Sequence, residues 1–387
     1  MIRIAILSFF HTESSLCLAK YLARQGCIVD YYFVANLLHD RKGTSGFEYP
    51  EAKRCLGNHL LSKDEVPEMY AYMESLPVRL FLTRIIHHEK YPRINQFLMK
   101  ILMWQIRHKH YDAINIVGQT SWVEVAHDVL KSENLVHTFH ELGNHVGELH
   151  PLKIVQSAIA DKSKVILHSK TAYERFLSIT GADANRTTVI PFGKFETCKL
   201  YVHEQDIQLP FSDNKPMLLF YGYIYPYKGL DILAKAIELL QSEWDKFNIV
   251  IAGAGTDPCL PYFGSLPNGF VLNKFLSNDE MMNLIRQSSA ILLPYRSASQ
   301  TGIIPTCTLY GKPFIATNVG AFSESVIDGY NGLLVEPESP ESFANAIKSV
   351  IEDKMLLSKL SEGASNFGNK DQFDWDTIAK QTIDFIS

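Results

Sequence analysis

A lysine set between the end of a strand and the start of a helix is well placed to hold a diphosphate. Lys228 occupies such a position. The block Phe220-Tyr-Gly-Tyr-Ile-Tyr-Pro-Tyr-Lys-Gly-Leu-Asp-Ile-Leu233 reads as a strand ending at Gly222, a short loop carrying Lys228-Gly229, and a helix. Backbone N–H groups and the positive end of a helix would add to the lysine charge there. A lone lysine in a turn is more often a solvated surface charge, so the reading needs company. Ile251-Ala-Gly-Ala-Gly-Thr256 follows as a strand and a Gly-x-Gly turn, a weak signal because the third glycine of a dinucleotide fingerprint is missing. Leu293-Pro-Tyr-Arg-Ser-Ala-Ser-Gln-Thr-Gly302 is rich in hydroxyls and small residues just before a helix, the composition of an anion cradle. Tyr310-Gly-Lys-Pro-Phe-Ile-Ala-Thr-Asn-Val-Gly320 and Glu324-Ser-Val-Ile-Asp-Gly-Tyr-Asn-Gly-Leu-Leu-Val335 complete the series.

A second constellation, His140-Glu141-Leu-Gly-Asn-His145-Val-Gly-Glu148-Leu-His150, invites a metal reading. The zinc-protease pattern needs its second histidine at 144, where Asn144 stands, and two glycines interrupt the helix that would present the ligands. No metal ligands are assigned. Glu13 and Glu141 are acid/base candidates that serve equally as helix-cap or surface carboxylates.

The elements that must position these residues form two α/β series. Ile2–Ser8 is a buried-type strand, followed by a helix over Ser15–Gln25 capped by Thr12 or Ser14 and ended by Gly26. Strands at Ile28–Val34, Asp112–Val117, Leu135–Thr138 and Lys164–Leu167 follow. The polar stretch Lys194–Pro216 reads as a linker. Strands are then expected at Met217–Tyr221, Phe247–Ala252, Gly269–Leu272, Ala290–Pro294, Pro313–Ala316 and Gly332–Val335, with helices between them. Strand–helix alternation implies right-handed crossovers and parallel sheets. Two doubly wound domains take ligands beyond the carboxyl ends of their strands, in a cleft between the lobes.

Composition limits the function. The 387 residues are 46% hydrophobic and 20% charged, with a net charge of −5, so a folded protein is expected and no basic field argues for nucleic acid. Six cysteines at 17, 27, 55, 198, 259 and 307 show no paired spacing, which reads as free thiols in a reducing compartment. The N-terminus lacks a secretory pattern, and no apolar run approaches the roughly 18–20 residues of a membrane span. A cytoplasmic location is expected, with or without peripheral attachment at the inner face of the membrane. From Val78 to His110 seven Lys or Arg stand against one acid, Glu89, interleaved with Phe97, Leu98, Ile101, Leu102, Trp104 and Ile106. This is either a face for anionic lipid or a core helix with a solvated basic edge.

The order and spacing of the motifs closely resemble the donor domain of retaining glycosyltransferases of family 4, which have the GT-B fold. The landmarks run from Gly222 through Lys228-Gly229-Leu230-Asp231, Gly253-x-Gly255, Leu293-Pro294-Tyr295 and Gly311-x-Pro313-x-Ile315-Ala316-Thr317 to Glu324 and Asp328-Gly329-x-Asn331-Gly332-Leu333. Thinner likeness in the first half rests on Thr138-Phe139-His140-Glu141, Ile166-Leu167-His168-Ser169 and Val189-Ile190-Pro191-Phe192-Gly193. Phe373-Asp374-Trp375 resembles the terminal segment that crosses back to the first domain. The resemblance implies two Rossmann-like domains facing a central cleft. Residues 1–195 would bind the acceptor, 196–370 the donor, and 371–387 would form the returning helix.

By that resemblance Lys228 would hold the donor diphosphate, His140 would contact the transferred sugar, and Glu324 would lie near the sugar or diphosphate. Gly222, where the strand before the lysine loop ends, would be among the donor-binding residues. Backbone N–H groups of Ser299, Gln300, Thr301 and Gly302 would hold phosphates, and Lys274 and Phe275 would flank the nucleobase. The co-substrate would be a UDP- or GDP-linked hexose, with no cofactor and no catalytic metal. The acceptor would be a glycan or lipid-linked precursor of a surface polysaccharide, and transfer would retain anomeric configuration.

Three departures stand out. Tyr223 and Tyr225 occupy the region of the family's arginine, and Arg296 is the expected replacement cation. The pair of glutamates is absent, with Ala298 or Ser299 and Thr306 nearby, so the Ser-Gln-Thr-Gly loop marks a sub-branch. The first turn, Phe9 to Ser14, lacks the usual glycine pair. The rival readings are a catalytically inactive sugar-nucleotide-binding partner and a sugar-nucleotide epimerase.

Overall fold

The computed structural model describes residues 1–9, 11–36, 57–85, 92–140, 153–200, 202, 207–211, 214–298, 302–369 and 371–387. The chain divides into two compact units, Met1–Tyr201 with Asp371–Ser387, and Val202–Lys370. Residues 196–199, expected to open the second domain, form a 3-10 turn of the first. Thr197 Oγ1 donates to the Glu13 carbonyl at 2.8 Å and fixes the turn there.

The first unit holds β1 (Arg3–Ser8), β2 (Ile28–Asn36), β3 (Gly57–Leu60), β4 (Val78–Ile85), β5 (Ala113–Val117), β6 (Leu135–Thr138), β7 (Lys164–Leu167) and β8 (Thr187–Val189). They pair in the order β3-β4-β2-β1-β5-β6-β7-β8, all parallel except β3 against β4. Near-continuous apolar runs such as Ile4–Leu7 and Ala113–Val117 are buried because helices cover a parallel sheet on both faces. Three strands escape the hydrophobic pattern, β3, β4 and the three-residue β8. The polar residues of β4 have partners: Arg79 forks onto Asp30, fully buried on β2, with both contacts at 2.6 Å.

The first helix spans Thr12–Arg24, three residues earlier than expected. Neither Thr12 nor Ser14 caps it. His11 stands at the N-cap in the left-handed region, φ 61° and ψ 44°, with no side-chain cap bond. The Ser14 and Ser15 hydroxyls turn back onto the His11 carbonyl instead.

The terminal helix Trp375–Ile386 packs on this first helix. Trp375 Nε1 donates to the Lys194 carbonyl at 2.7 Å, and Gln25 donates to Asp376 at 2.8 Å. The indole lies so close to Gly193 that a Cβ there would sit 2.6 Å from Nε1. That contact is the physical reason for glycine in the Pro191-Phe192-Gly193 motif.

The second unit holds β9 (Met217–Tyr221), β10 (Asn248–Ala252), β11 (Gly269–Leu272), β12 (Ala290–Leu293), β13 (Phe314–Thr317) and β14 (Gly332–Val335). The order is β11-β10-β9-β12-β13-β14, all parallel. Strand order reverses between β1 and β5 in one unit and between β9 and β12 in the other. Loops leaving such a pair of strands diverge to opposite faces and open a crevice for a ligand. The loops after β9 and β12 carry Lys228 and the hydroxyl-rich segment.

Candidate functional site

In the second unit β9 ends at Tyr221, and the backbone then passes hard against the end of β10. Gly222 has φ +106° and donates to Ala252 O at 2.9 Å. Gly253 has φ +144°, and a Cβ there would lie 2.0 Å from the Gly222 carbonyl oxygen. The Gly-x-Gly turn therefore serves close backbone approach, and Ile224 N reaches Ala254 O at 2.9 Å. A 3-10 turn, Pro226–Lys228, leads into the helix Leu230–Leu239.

Lys228 is only 7% exposed. Its ammonium lies over the Tyr295 ring, 5.3 Å from the centroid, and has no hydrogen-bond or carboxylate partner among the described residues. The space beside Gly222 accommodates it, since a Cβ there would be 2.9 Å from Nζ. Burial alone pulls the lysine down to about 8. A buried ammonium without a counter-charge is costly to the fold, and a group perturbed in this way at the ends of strands marks a candidate site. Tyr295, 3% exposed, has a hydroxyl that is likewise unpartnered.

Arg296 lies on the β12 loop with its fork engaged elsewhere. Nη1 and Nη2 hold both oxygens of Asp231 at 2.8 Å, and Nε meets Glu338 at 2.8 Å. The Arg296 backbone N–H donates to Tyr227 O at 2.7 Å, and Nη1 donates to Pro226 O at 3.1 Å. The expected replacement cation thus ties the lysine turn to β12, with two carboxylates already sharing its charge.

The remaining expected donor residues are distributed around the same ends of the strands. Gly302 precedes the short helix Ile303–Cys307, while Ser299, Gln300 and Thr301 lie outside the described residues. Thr306 is buried, and its hydroxyl donates back to Gly302 O at 2.7 Å. Lys274 is ion-paired with Glu280, which also closes a capping box with Ser277. Phe275 is 44% exposed and faces Tyr223 across 6.2 Å between centroids. Glu324 is half-buried on the short helix Phe322–Ser325. The motif behind that helix is structural: buried Asn331 accepts from Ile327 N at 2.7 Å and donates to Ser325 O at 2.9 Å.

In the first unit the ends of β1, β6, β7 and β8 bring aromatic rings together. His140 stacks on His11 at 3.5 Å between centroids with planes 11° apart, and lies 4.7 Å from His168 and 5.2 Å from Phe192. Its backbone N–H donates to Gln119 Oε1. His168 Nδ1 donates to Ile190 O at 2.7 Å, which leaves Nε2 as an acceptor. Nε2 of both His140 and His168 is buried and has no hydrogen-bond partner among the described residues. Burial, and each ring's neighbours, push His140 well below the usual range; burial first pushes His11 to about 4 and His168 to about 3. The three rings are neutral at physiological pH and offer hydrogen bonds without charge. Burial also raises Glu13, beside them on the first helix, to about 7. Glu141 and the rest of the metal-like stretch lie outside the described residues.

Four residues here were not singled out as site residues: Tyr295, His11, His168 and Phe192. Each sits within three residues of the end of a strand or its following coil, and that position was the available signal.

Residues 202–367 match the family model described as glycosyl transferases group 1. The chain thus carries a glycosyltransferase family domain on a GT-B fold of two parallel-sheet α/β domains. An uncharacterised glycosyltransferase of Methanocaldococcus jannaschii is 33% identical over 167 residues, which is 41% of this chain and 44% of that protein. That alignment spans less than half the length of the relative. A D-inositol 3-phosphate glycosyltransferase of Paenarthrobacter aurescens is 22% identical over 95% of this chain and 90% of its own length. Among solved structures, a sucrose-phosphate synthase from Thermosynechococcus elongatus superposes with TM-score 0.66 at 17% identity, covering 99% of this chain and 98% of its own. Anabaena HepE, solved in complex with UDP-glucose, gives TM-score 0.61 at 18% identity over 99% of each chain.

Proposed function

We propose that this protein is a retaining hexosyltransferase that takes a sugar from a UDP- or GDP-linked donor. The acceptor in this reading is a glycan or lipid-linked precursor in surface polysaccharide synthesis. The observation that carries it is the buried ammonium of Lys228 at the strand-order reversal of the second unit, which has no hydrogen-bond or carboxylate partner among the described residues. A diphosphate supplies the missing counter-charge, and it does so most strongly as the leaving group gains charge. The HepE complex with UDP-glucose supports a nucleotide-sugar donor. Arg296 acts in this reading by fixing the lysine turn, while the Tyr295 hydroxyl and backbone N–H groups of the β12 loop add neutral donors. Leaving-group charge is met by lysine and hydrogen bonds, so no catalytic metal is required. The neutral rings of His140 and His168 suit hydroxyl groups of a sugar.

The test is incubation with UDP- and GDP-hexoses, with and without a bacterial lipid fraction, followed by proton NMR. The expected result is lipid-stimulated nucleotide release, unaffected by chelator, with the anomeric configuration of the donor kept in the product. Release of an epimerised free sugar without acceptor, or no turnover with any donor, overturns it.

A further inference from the structure

The helix Pro92–Arg107 is apolar on two faces, and among the described residues only one of them packs into the core. Asn95, Met99, Leu102, Met103 and Ile106 are buried, and the apolar members of that set join the core of the first unit. On the other side Ile94 is 51% exposed, Phe97 64%, Ile101 38% and Trp104 55%. Their spacing of three, four and three residues stacks them in one stripe, about 80° wide at roughly 100° per residue.

The charge beside this stripe has one sign. No acidic residue occurs from Pro92 to Tyr111. Arg93 and Lys100 are exposed along one edge of the stripe, and neither has a carboxylate partner among the described residues. Much of the wider basic segment is committed internally. Arg79 is held by Asp30, Arg107 by Glu133 at 2.9 Å, and Lys109 donates to Tyr32 at 2.9 Å. Trp104 lies at the basic edge with its ring 4.0 Å from that of His108. An amphipathic aromatic at the border of an apolar stripe suits the interface between headgroups and acyl chains.

We infer that the exposed face of Pro92–Arg107 docks on an anionic lipid bilayer. Phe97, Ile101 and Ile94 enter the acyl boundary, Trp104 lies at headgroup depth, and Arg93 and Lys100 contact lipid phosphates. This surface does not depend on the reaction proposed above. A soluble protein partner would find few hydrogen-bonding groups on the stripe, whereas a bilayer asks only for apolar area and positive charge.

The experiment is co-sedimentation of the full chain with vesicles of phosphatidylcholine alone or mixed with phosphatidylglycerol, with tryptophan emission read in parallel. The wild type is expected to sediment with the anionic vesicles and shift its emission to the blue. A Phe97→Asp/Trp104→Asp variant, checked for unchanged melting and UDP affinity, is expected to lose binding roughly tenfold or more. Arg93→Gln/Lys100→Gln is expected to retain folding and lose the preference for anionic lipid. The inference is overturned if the wild type stays in the supernatant, or if both variants bind as it does. It is also overturned if the wild type is a dimer without lipid that Phe97→Asp/Trp104→Asp makes monomeric.

Discussion

In the proposed reading Lys228 combines a cost to folding with the means of binding. Its ammonium ordinarily titrates at 10.5 and is pulled to about 8 by burial. The unfolded chain binds this proton more tightly, so below pH 8 the folded state bears the full desolvation cost. Stability then rises as pH increases from 8 towards 10.5. The difference corresponds to about 3 kcal/mol as an order of magnitude. Lys228→Met should therefore raise the melting temperature of the unliganded protein at pH 7, by roughly 2–4 °C per kcal/mol, in a calorimetric scan. Unchanged or lower melting would show that the charge is already compensated. Gly222→Ala is expected to act in the opposite sense on stability, since φ +106° is unfavourable for alanine and the added Cβ crowds Nζ. Its predicted loss of UDP affinity, at least tenfold, is measurable by titration calorimetry.

At the scale of elements, the turn from Gly222 to Asp231 is held at both ends. Backbone bonds to Ala252 and Ala254 fix its start, and Arg296 ties its far end to β12. The pair Arg296–Asp231 is partly exposed, so its worth to stability is modest, about 0.2–1 kcal/mol. Its larger effect is on position. Arg296→Ala is expected to weaken UDP binding severalfold while melting drops by only a few degrees, and Arg296→Lys should recover little because one ammonium cannot fork. The strand-to-helix turns carrying these residues were readable from sequence because buried parallel strands are apolar runs punctuated by glycine. The ion pair was not readable, because Asp231 and Arg296 are distant in sequence and meet only through the order of the strands. β4 escaped for a related reason: Arg79 and Arg84 break its apolar run, and the buried Asp30 that takes up Arg79 lies on β2.

For the molecule as a whole, the two α/β units and the motif order were legible, as periodicity and punctuation are local properties. The terminal helix was legible only by resemblance. What holds it is a tertiary contact, Trp375 against Gly193 and Lys194, that no local pattern encodes. Trp375→Ala is expected to cost about 3–5 kcal/mol in unfolding of the first unit, since the indole is 5% exposed. The proposed function assigns UDP binding to the second unit, so UDP affinity should survive, and denaturant titration with and without UDP separates the two effects. The histidine cluster of the first unit was half visible, through His140 alone, because ring stacking depends on where three separate strands end. Titration calorimetry of UDP and GDP into the wild type and Lys228→Met, at pH 7 and pH 9.5, is the most direct trial of the account. One charge-assisted contact of about 1.5–3 kcal/mol predicts roughly 10- to 150-fold weaker binding in the variant. Bound diphosphate favours the protonated lysine, so wild-type affinity should fall as pH passes about 8, while the variant stays weak at both values. Equal affinity in the two proteins, or the same pH response in both, would contradict it.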